Sequence, residues 1–199
     1  MSCPRQGPLA GVKVLELGGV GPVPFCGMYF ADLGAEVIRI ERPLGADTLS
    51  RSRQKLNLCS RGKQSIAMDF RGEAGREVAL DLVSRADIVM EGFRPGVLER
   101  LGLGPADCLA RNPALVFGRM SGWGEGGHLS KTAAHDINYV GMSGLLATIG
   151  TKERPRPPLN IVGDFGGALY LVTGLLAALT HARASGEGQV VDASILGGS

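Results

Sequence analysis

Residues 12–41 restrict the fold of this chain more than any other stretch. Val12-Lys13-Val14-Leu15-Glu16-Leu17 is a short apolar run with the composition of a buried strand, closed by the turn Gly18-Gly19-Val20-Gly21-Pro22-Val23-Pro24. A helix is predicted over 25–33, and Gly34 stands just beyond its end, where glycine tolerates a left-handed backbone best. Glu36-Val37-Ile38-Arg39-Ile40-Glu41 then supplies a second strand. A strand–helix–strand unit of this size calls for parallel pairing through a right-handed crossover.

The alternation continues. An extended segment is expected over 65–70, and helical spacing through Val78, Leu82 and Val83 over 74–85. Asp87-Ile88-Val89-Met90-Glu91 and Leu115-Val116-Phe117-Gly118-Arg119-Met120 read as strands, separated by a helix over 103–112 that starts at Gly104-Pro105. Two apolar helices are expected near 137–148 and 165–183, then a last strand, Gly188-Gln189-Val190-Val191-Asp192-Ala193. The polar, basic stretch 43–63 shows no periodicity and reads as a loop. The class is therefore α/β: a Rossmann-like, open, mostly parallel sheet with flanking helices.

The net charge of +2 and an aromatic content of 5% argue against a nucleic-acid binder. Cys3, Cys26, Cys59 and Cys108 have no metal-ligand spacing, so no metal site is expected. With no signal-peptide pattern, reduced thiols and a cytoplasmic location follow as expectations. The longest apolar stretch, 168–179, is interrupted by Tyr170, Thr173 and Gly174 and reads as too short to span a bilayer. A chain of 199 residues suits one α/β domain or part of a larger one.

Chemistry concentrates at two loop-to-helix junctions. His135 stands in Ala133-Ala134-His135-Asp136-Ile137-Asn138-Tyr139, and Asp164 in Pro158-Leu159-Asn160-Ile161-Val162-Gly163-Asp164-Phe165-Gly166-Gly167. An imidazole and a carboxylate are what a site needs to take a proton from one face of a carbon and return one to the other. The plainer roles stay open at this point: Asp164 as a helix N-cap, His135 as a structural histidine, and Asp136 as the cap of the helix starting at Ile137. His128 and His181 have no comparable setting.

Two further features bear on ligands. The 18–27 turn resembles a dinucleotide loop only loosely, because Pro22 and Pro24 stand where backbone N–H donors are needed. Glu41 does end the second strand as a ribose-binding acid would, so a nicotinamide dehydrogenase is a minor alternative. Basic residues crowd the neighbouring region: Arg39, Arg42, Arg51, Arg53, Lys55, Arg61 and Lys63. They read either as a solvated face or, with Arg94 in Gly92-Phe93-Arg94-Pro95-Gly96, as a polyphosphate site at the strand ends.

Together these segments resemble one family. Leu9-Ala10-Gly11-Val12-Lys13-Val14-Leu15-Glu16-Leu17 and Asp32-Leu33-Gly34-Ala35-Glu36-Val37-Ile38-Arg39-Ile40-Glu41-Arg42-Pro43 look like the opening of the family III CoA-transferases and racemases (CaiB/BaiF-like). Glu91-Gly92-Phe93-Arg94-Pro95-Gly96-Val97 and Gly186-Glu187-Gly188-Gln189-Val190-Val191-Asp192 continue the match. The segment Ala134-His135-Asp136-Ile137-Asn138-Tyr139 resembles the racemase branch, the α-methylacyl-CoA racemases, more than the transferases.

The resemblance implies racemisation of 2-methylacyl-CoA thioesters by α-proton transfer through an enolate, with His135 and Asp164 as the two bases. CoA is then part of the substrate and no separate cofactor is implied. It further implies that Arg39, Arg42, Arg61 and Lys63 contact the CoA nucleotide, with Arg94 beside them. Transferases of the family instead use an aspartate at the position of Asp164 to form an acyl anhydride. Members are about twice this length. The resemblance thus implies that residues 1–199 are the N-terminal part of the CoA-binding large domain, without the small C-terminal domain. It also implies an interlocked homodimer and, from the C-terminal half, a glutamate partner for the histidine. A truncated, inactive or merely CoA-binding chain is the remaining alternative.

Overall fold

The computed structural model describes residues 6–43 and 57–199; Cys3, Arg51, Arg53 and Lys55 lie outside the described residues. Its strands are β1 (Lys13–Leu17), β2 (Glu36–Glu41), β3 (Gln64–Ala67), β4 (Ile88–Glu91), β5 (Val116–Ser121) and β6 (Gln189–Ser194). They form one sheet in the order β3-β2-β1-β4-β5-β6, and every adjacent pair is parallel. The chain builds outward from β1 to β3, then returns past β1 to start β4 on its other side. That reversal leaves a crevice beyond the carboxyl ends of β1 and β4, where sheets of this kind bind ligands.

The helices are α1 (Pro22–Asp32), α2 (Glu73–Val83), α3 (Val97–Arg100), α4 (Pro105–Arg111), α5 (Asp136–Met142), α6 (Asp164–Ser185) and α7 (Ile195–Gly198). Strand alternation sorts them into two layers. Val14, Val37, Ile88 and Val116 point into the layer that holds Phe30 of α1 and Leu171 and Leu175 of α6. Leu15, Val89 and Phe117 point the other way, onto Ala79 and Val83 of α2 and Cys108 of α4. Burying such side chains on both faces stabilises each by about 1.5–3 kcal/mol, which is why neither face of the central strands carries the polar half of an amphipathic pattern.

Several boundaries differ from expectation for physical reasons. α1 begins at Pro22 rather than at 25, because first-turn positions have no intrahelical N–H partner to lose to proline. The helix expected over 137–148 stops at Met142; Gly144, at φ +84°, turns the chain into a short 3-10 segment, Leu145–Thr148. α3 is too short to leave a periodic signal.

The apolar stretch expected to end at 179 is part of α6, which runs 22 residues and contains an 18-residue window of mean hydropathy 1.4. By length and composition α6 is long and apolar enough to cross a membrane. Within this fold it lies along β5 and β6 and against α1. Its close approach depends on Gly118, where a Cβ would fall 2.8 Å from Leu175 Cδ2.

Candidate active site

A cavity of about 280 Å³ occupies the crevice at the β1/β4 reversal. Gly21 lines it from the loop after β1 and Pro22 from the start of α1, Phe93 and Arg94 from the loop after β4, and Gly122 and Trp123 from the loop after β5. His135, Tyr139 and Asp164 complete the wall. The two residues singled out as bases, 29 positions apart, thus face one space together with Arg94.

Neither side chain is committed to capping a helix. His135 is the N-cap of α5, but its imidazole makes no cap bond; instead its backbone N–H donates to Asn138 Oδ1 at 3.0 Å. Asp164 is the first residue of α6 and not its N-cap, which is Gly163. Asp136 does not cap its own helix either. Its Oδ1 accepts the backbone N–H of Asp164 at 2.7 Å, so the carboxylate beside the histidine anchors the start of α6.

Burial raises the Asp164 carboxyl above its ordinary range, the negative charge of Asp136 adds to this, and His135 opposes it. The stacked rings of Phe25 and Phe165, 4.6 Å apart, hold α6 against α1 and bring Asp164 over the turn after β1. Gly21 is required there. Its φ is +73°, and a Cβ would stand 3.4 Å from Asp164 Oδ2. Tyr139 packs edge-on against Trp123 at 4.6 Å. Burial raises its phenol, with the Asp164 charge adding and Arg94 opposing, so the hydroxyl lies within the field of both groups.

The basic residues divide. Arg42 lines a second cavity, of about 210 Å³, together with Arg71 and Arg100, around the rings of Phe70 and Phe93. Asp69 pairs with Arg71 through two hydrogen bonds of 2.8 and 2.7 Å, which hold its carboxyl down at about 2. Phe93 is common to both cavities.

Arg39 and Lys63 converge instead on Glu16, which is fully buried behind α1. Lys63 Nζ donates to Glu16 Oε2 at 2.5 Å and to the Pro24 carbonyl at 2.8 Å. Arg39 Nε lies 2.9 Å from Glu41 Oε1 and 3.5 Å from Glu16 Oε1, while its Nη1 is buried without a hydrogen-bond partner among the described residues. Burial raises Glu16 and lowers Lys63. Arg61 makes a two-pronged pair with Asp32 on the surface.

Sequence reasoning did not single out Arg71, Arg100, Tyr139 or the role of Asp136. Tyr139 and Asp136 stood inside the motif around His135. Arg71 and Arg100 had no signal beyond charge, since only the sheet order brings them beside Arg42.

The sequence matches the family model of CoA-transferase family III over residues 9–199. It is 46% identical over 193 residues to an alpha-methylacyl-CoA racemase of Mus musculus, covering 96% of this chain and 49% of that protein. It is 40% identical over 200 residues to a succinyl-CoA–D-citramalate CoA-transferase of Chloroflexus aurantiacus, covering 96% and 50%. Among solved structures, a CAIB/BAIF family protein from Brucella suis superposes with a TM-score of 0.89 at 34% identity, covering 96% of this chain and 54% of that one. The chain spans about half the length of the curated relatives it matches.

Proposed function

This chain belongs to CoA-transferase family III, and within that family we propose that it carries the two-base site of a 2-methylacyl-CoA racemase, in the N-terminal part of the CoA-binding domain. The observation that carries this reading is that His135 and Asp164 line one cavity with neither side chain spent on a helix cap. The identity with the racemase of Mus musculus supports it.

A thioester acidifies its α-carbon. In one direction His135 removes the α-proton, and the C–H electron pair moves into the thioester carbonyl to give a planar enolate. Asp164, carrying a proton, delivers it to the opposite face as the carbonyl re-forms. The reverse direction exchanges the two roles. A carboxyl raised by burial and by Asp136 suits both tasks, because it holds a proton more readily and is a stronger base when ionised. The substrate brings the CoA moiety with it, and the reaction consumes no separate cofactor. The arginine-rimmed cavity of Arg42, Arg71 and Arg100 suits a purine stacked on apolar rings with phosphates at its edge.

The test is incorporation of solvent deuterium at the α-carbon of a 2-methylacyl-CoA. Weak exchange by residues 1–199 alone is expected, lost in both His135→Ala and Asp164→Ala. A second reading, transfer of CoA through an Asp164 acyl anhydride, is supported by the identity with the Chloroflexus aurantiacus transferase. It predicts CoA exchange with a free acid, an adduct on Asp164 trapped by hydroxylamine, and little effect of His135→Ala. That set of results overturns the racemase reading.

A further inference from the structure

Arg119 stands in β5, on the sheet face opposite Met120 and the base-bearing cavity, with its side chain 9% exposed. One guanidinium there serves three carboxylates from three different elements. Nε donates to Glu91 Oε1 at 2.9 Å, at the end of the neighbouring strand β4. Nη1 donates to Glu99 Oε1 of α3 at 2.7 Å and lies 3.2 Å from Glu125 Oε2 in the glycine-rich loop after β5. Asp192 of β6 stands opposite Arg119 in the sheet register on the other side.

As stabilisation this arrangement is poor. The ion pairs more than offset the burial of the Arg119 guanidinium, but burial still raises Glu91 and Glu125 despite them, and Glu125 Oε1 is left buried without a partner among the described residues. As a mechanical junction it reaches the walls of both cavities. Glu91 Oε2 accepts the Phe93 N–H at 2.8 Å, and Phe93 is the ring the two cavities share. Glu99 belongs to the helix whose Arg100 lines the arginine-rimmed cavity. Glu125 anchors the loop whose Gly122 and Trp123 line the base-bearing cavity, and within that loop the Gly124 N–H donates to Ser121 Oγ at 2.9 Å.

We propose that Arg119 is a positioning residue that sets the spacing between the two cavities, by tying the 92–100 and 122–127 segments to one point on β5. The proposal deepens the reading above and rests on it for the identity of the ligand. A CoA thioester held at its nucleotide end must meet the bases at its acyl end, and misplacement by about 1 Å costs on the order of a hundredfold in rate. A fixed junction between the two ends suits that demand.

The test uses single-tether variants and two kinds of readout. Amide hydrogen exchange of the 92–100 and 122–127 segments is followed by mass spectrometry, beside CoA binding and α-deuterium incorporation. Glu125→Gln is expected to raise exchange about tenfold in 122–127 alone and to slow deuterium incorporation with CoA affinity unchanged. Glu99→Gln is expected to raise exchange in 92–100 alone and to weaken CoA binding about threefold or more. Arg119→Met should loosen both segments, and Arg119→Lys should restore them only in part, having lost the forked geometry.

Equal loosening of both segments by each glutamine variant, or no segmental change in Arg119→Met, overturns the proposal. If Arg119→Met does not fold, the two glutamine variants decide. If the unaltered chain neither binds CoA nor exchanges the α-proton, the functional reading fails while the amide data still judge the junction.

Discussion

Glutamine in place of Glu91 separates the charge of that side chain from its shape. Glu91 is 1% exposed, and burial pushes its carboxyl up to about 7 from the ordinary 4.5, although the Phe93 N–H and the Arg119 guanidinium both favour the ionised form. The guanidinium is shared with Glu99 and Glu125, so it does not offset the burial in full. Because the folded value lies above the unfolded one, the contribution of Glu91 to stability is complete below pH 4.5 and is lost as pH rises through about 7. Moving a carboxyl from 4.5 to about 7 amounts to about 3 kcal/mol once it is ionised.

Glutamine keeps an acceptor for the Phe93 N–H and does not titrate. In urea unfolding, Glu91→Gln should match the unaltered chain to within about 1 kcal/mol near pH 5, where the protonated acid is its close mimic. By about pH 9 the variant should be relatively more stable by about 3 kcal/mol. Raised carboxyls away from Arg119 titrate equally in both proteins and cancel in the difference, whereas Glu125, which is coupled to Glu91, cancels only in part. Stability curves that run parallel from about pH 5 to about pH 9 would refute a protonated Glu91 and its burial as the cause.

Asp136→Asn should leave the acceptor for the Asp164 N–H in place while removing the like charge that, after burial, raises the Asp164 carboxyl. The limb of the pH–rate profile for α-deuterium incorporation that reports Asp164 should therefore move to lower pH; an unmoved limb rejects the coupling. Asp136→Ala also removes the bond, and urea unfolding should register a loss of about 1.5–3 kcal/mol. Gly122→Ala places a Cβ on the Tyr139 hydroxyl. It should cost about 1–3 kcal/mol in unfolding and shift the near-UV circular dichroism of the Trp123–Tyr139 pair; a silent near-UV spectrum contradicts the contact.

The fold was legible because its signals are local. β1, α1 and β2 could be read from a strand pattern, a glycine- and proline-rich turn and a helix-ending glycine, none of which needs a distant partner. Of the candidate site, His135 and Asp164 were legible as residues at helix mouths and as parts of a family motif. Their shared cavity was not, since it follows from strand order, and no periodicity encodes which side of β1 the chain returns to. Arg39 and Lys63 carried the same charge signal as Arg42, yet Glu16, an acid inside an apolar strand, draws both inward. Arg119 left a comparable trace, a charge within Val116-Phe117-Gly118-Arg119-Met120, and such a charge in a strand buried on both faces is the signal that finds a junction of this kind.

One hydrogen bond, from the Asp164 N–H to Asp136, ties together residues 28 positions apart. The spacing between His135 and Asp164 is thereby decoupled from the length and sequence of what lies between α5 and α6. Insertions or deletions around Gly150 can be absorbed at a cost that grows only slowly with loop length. The separation of the two helix mouths and the sequence between them then become separately heritable traits: one is kept by a single carboxylate, and the other is free to drift.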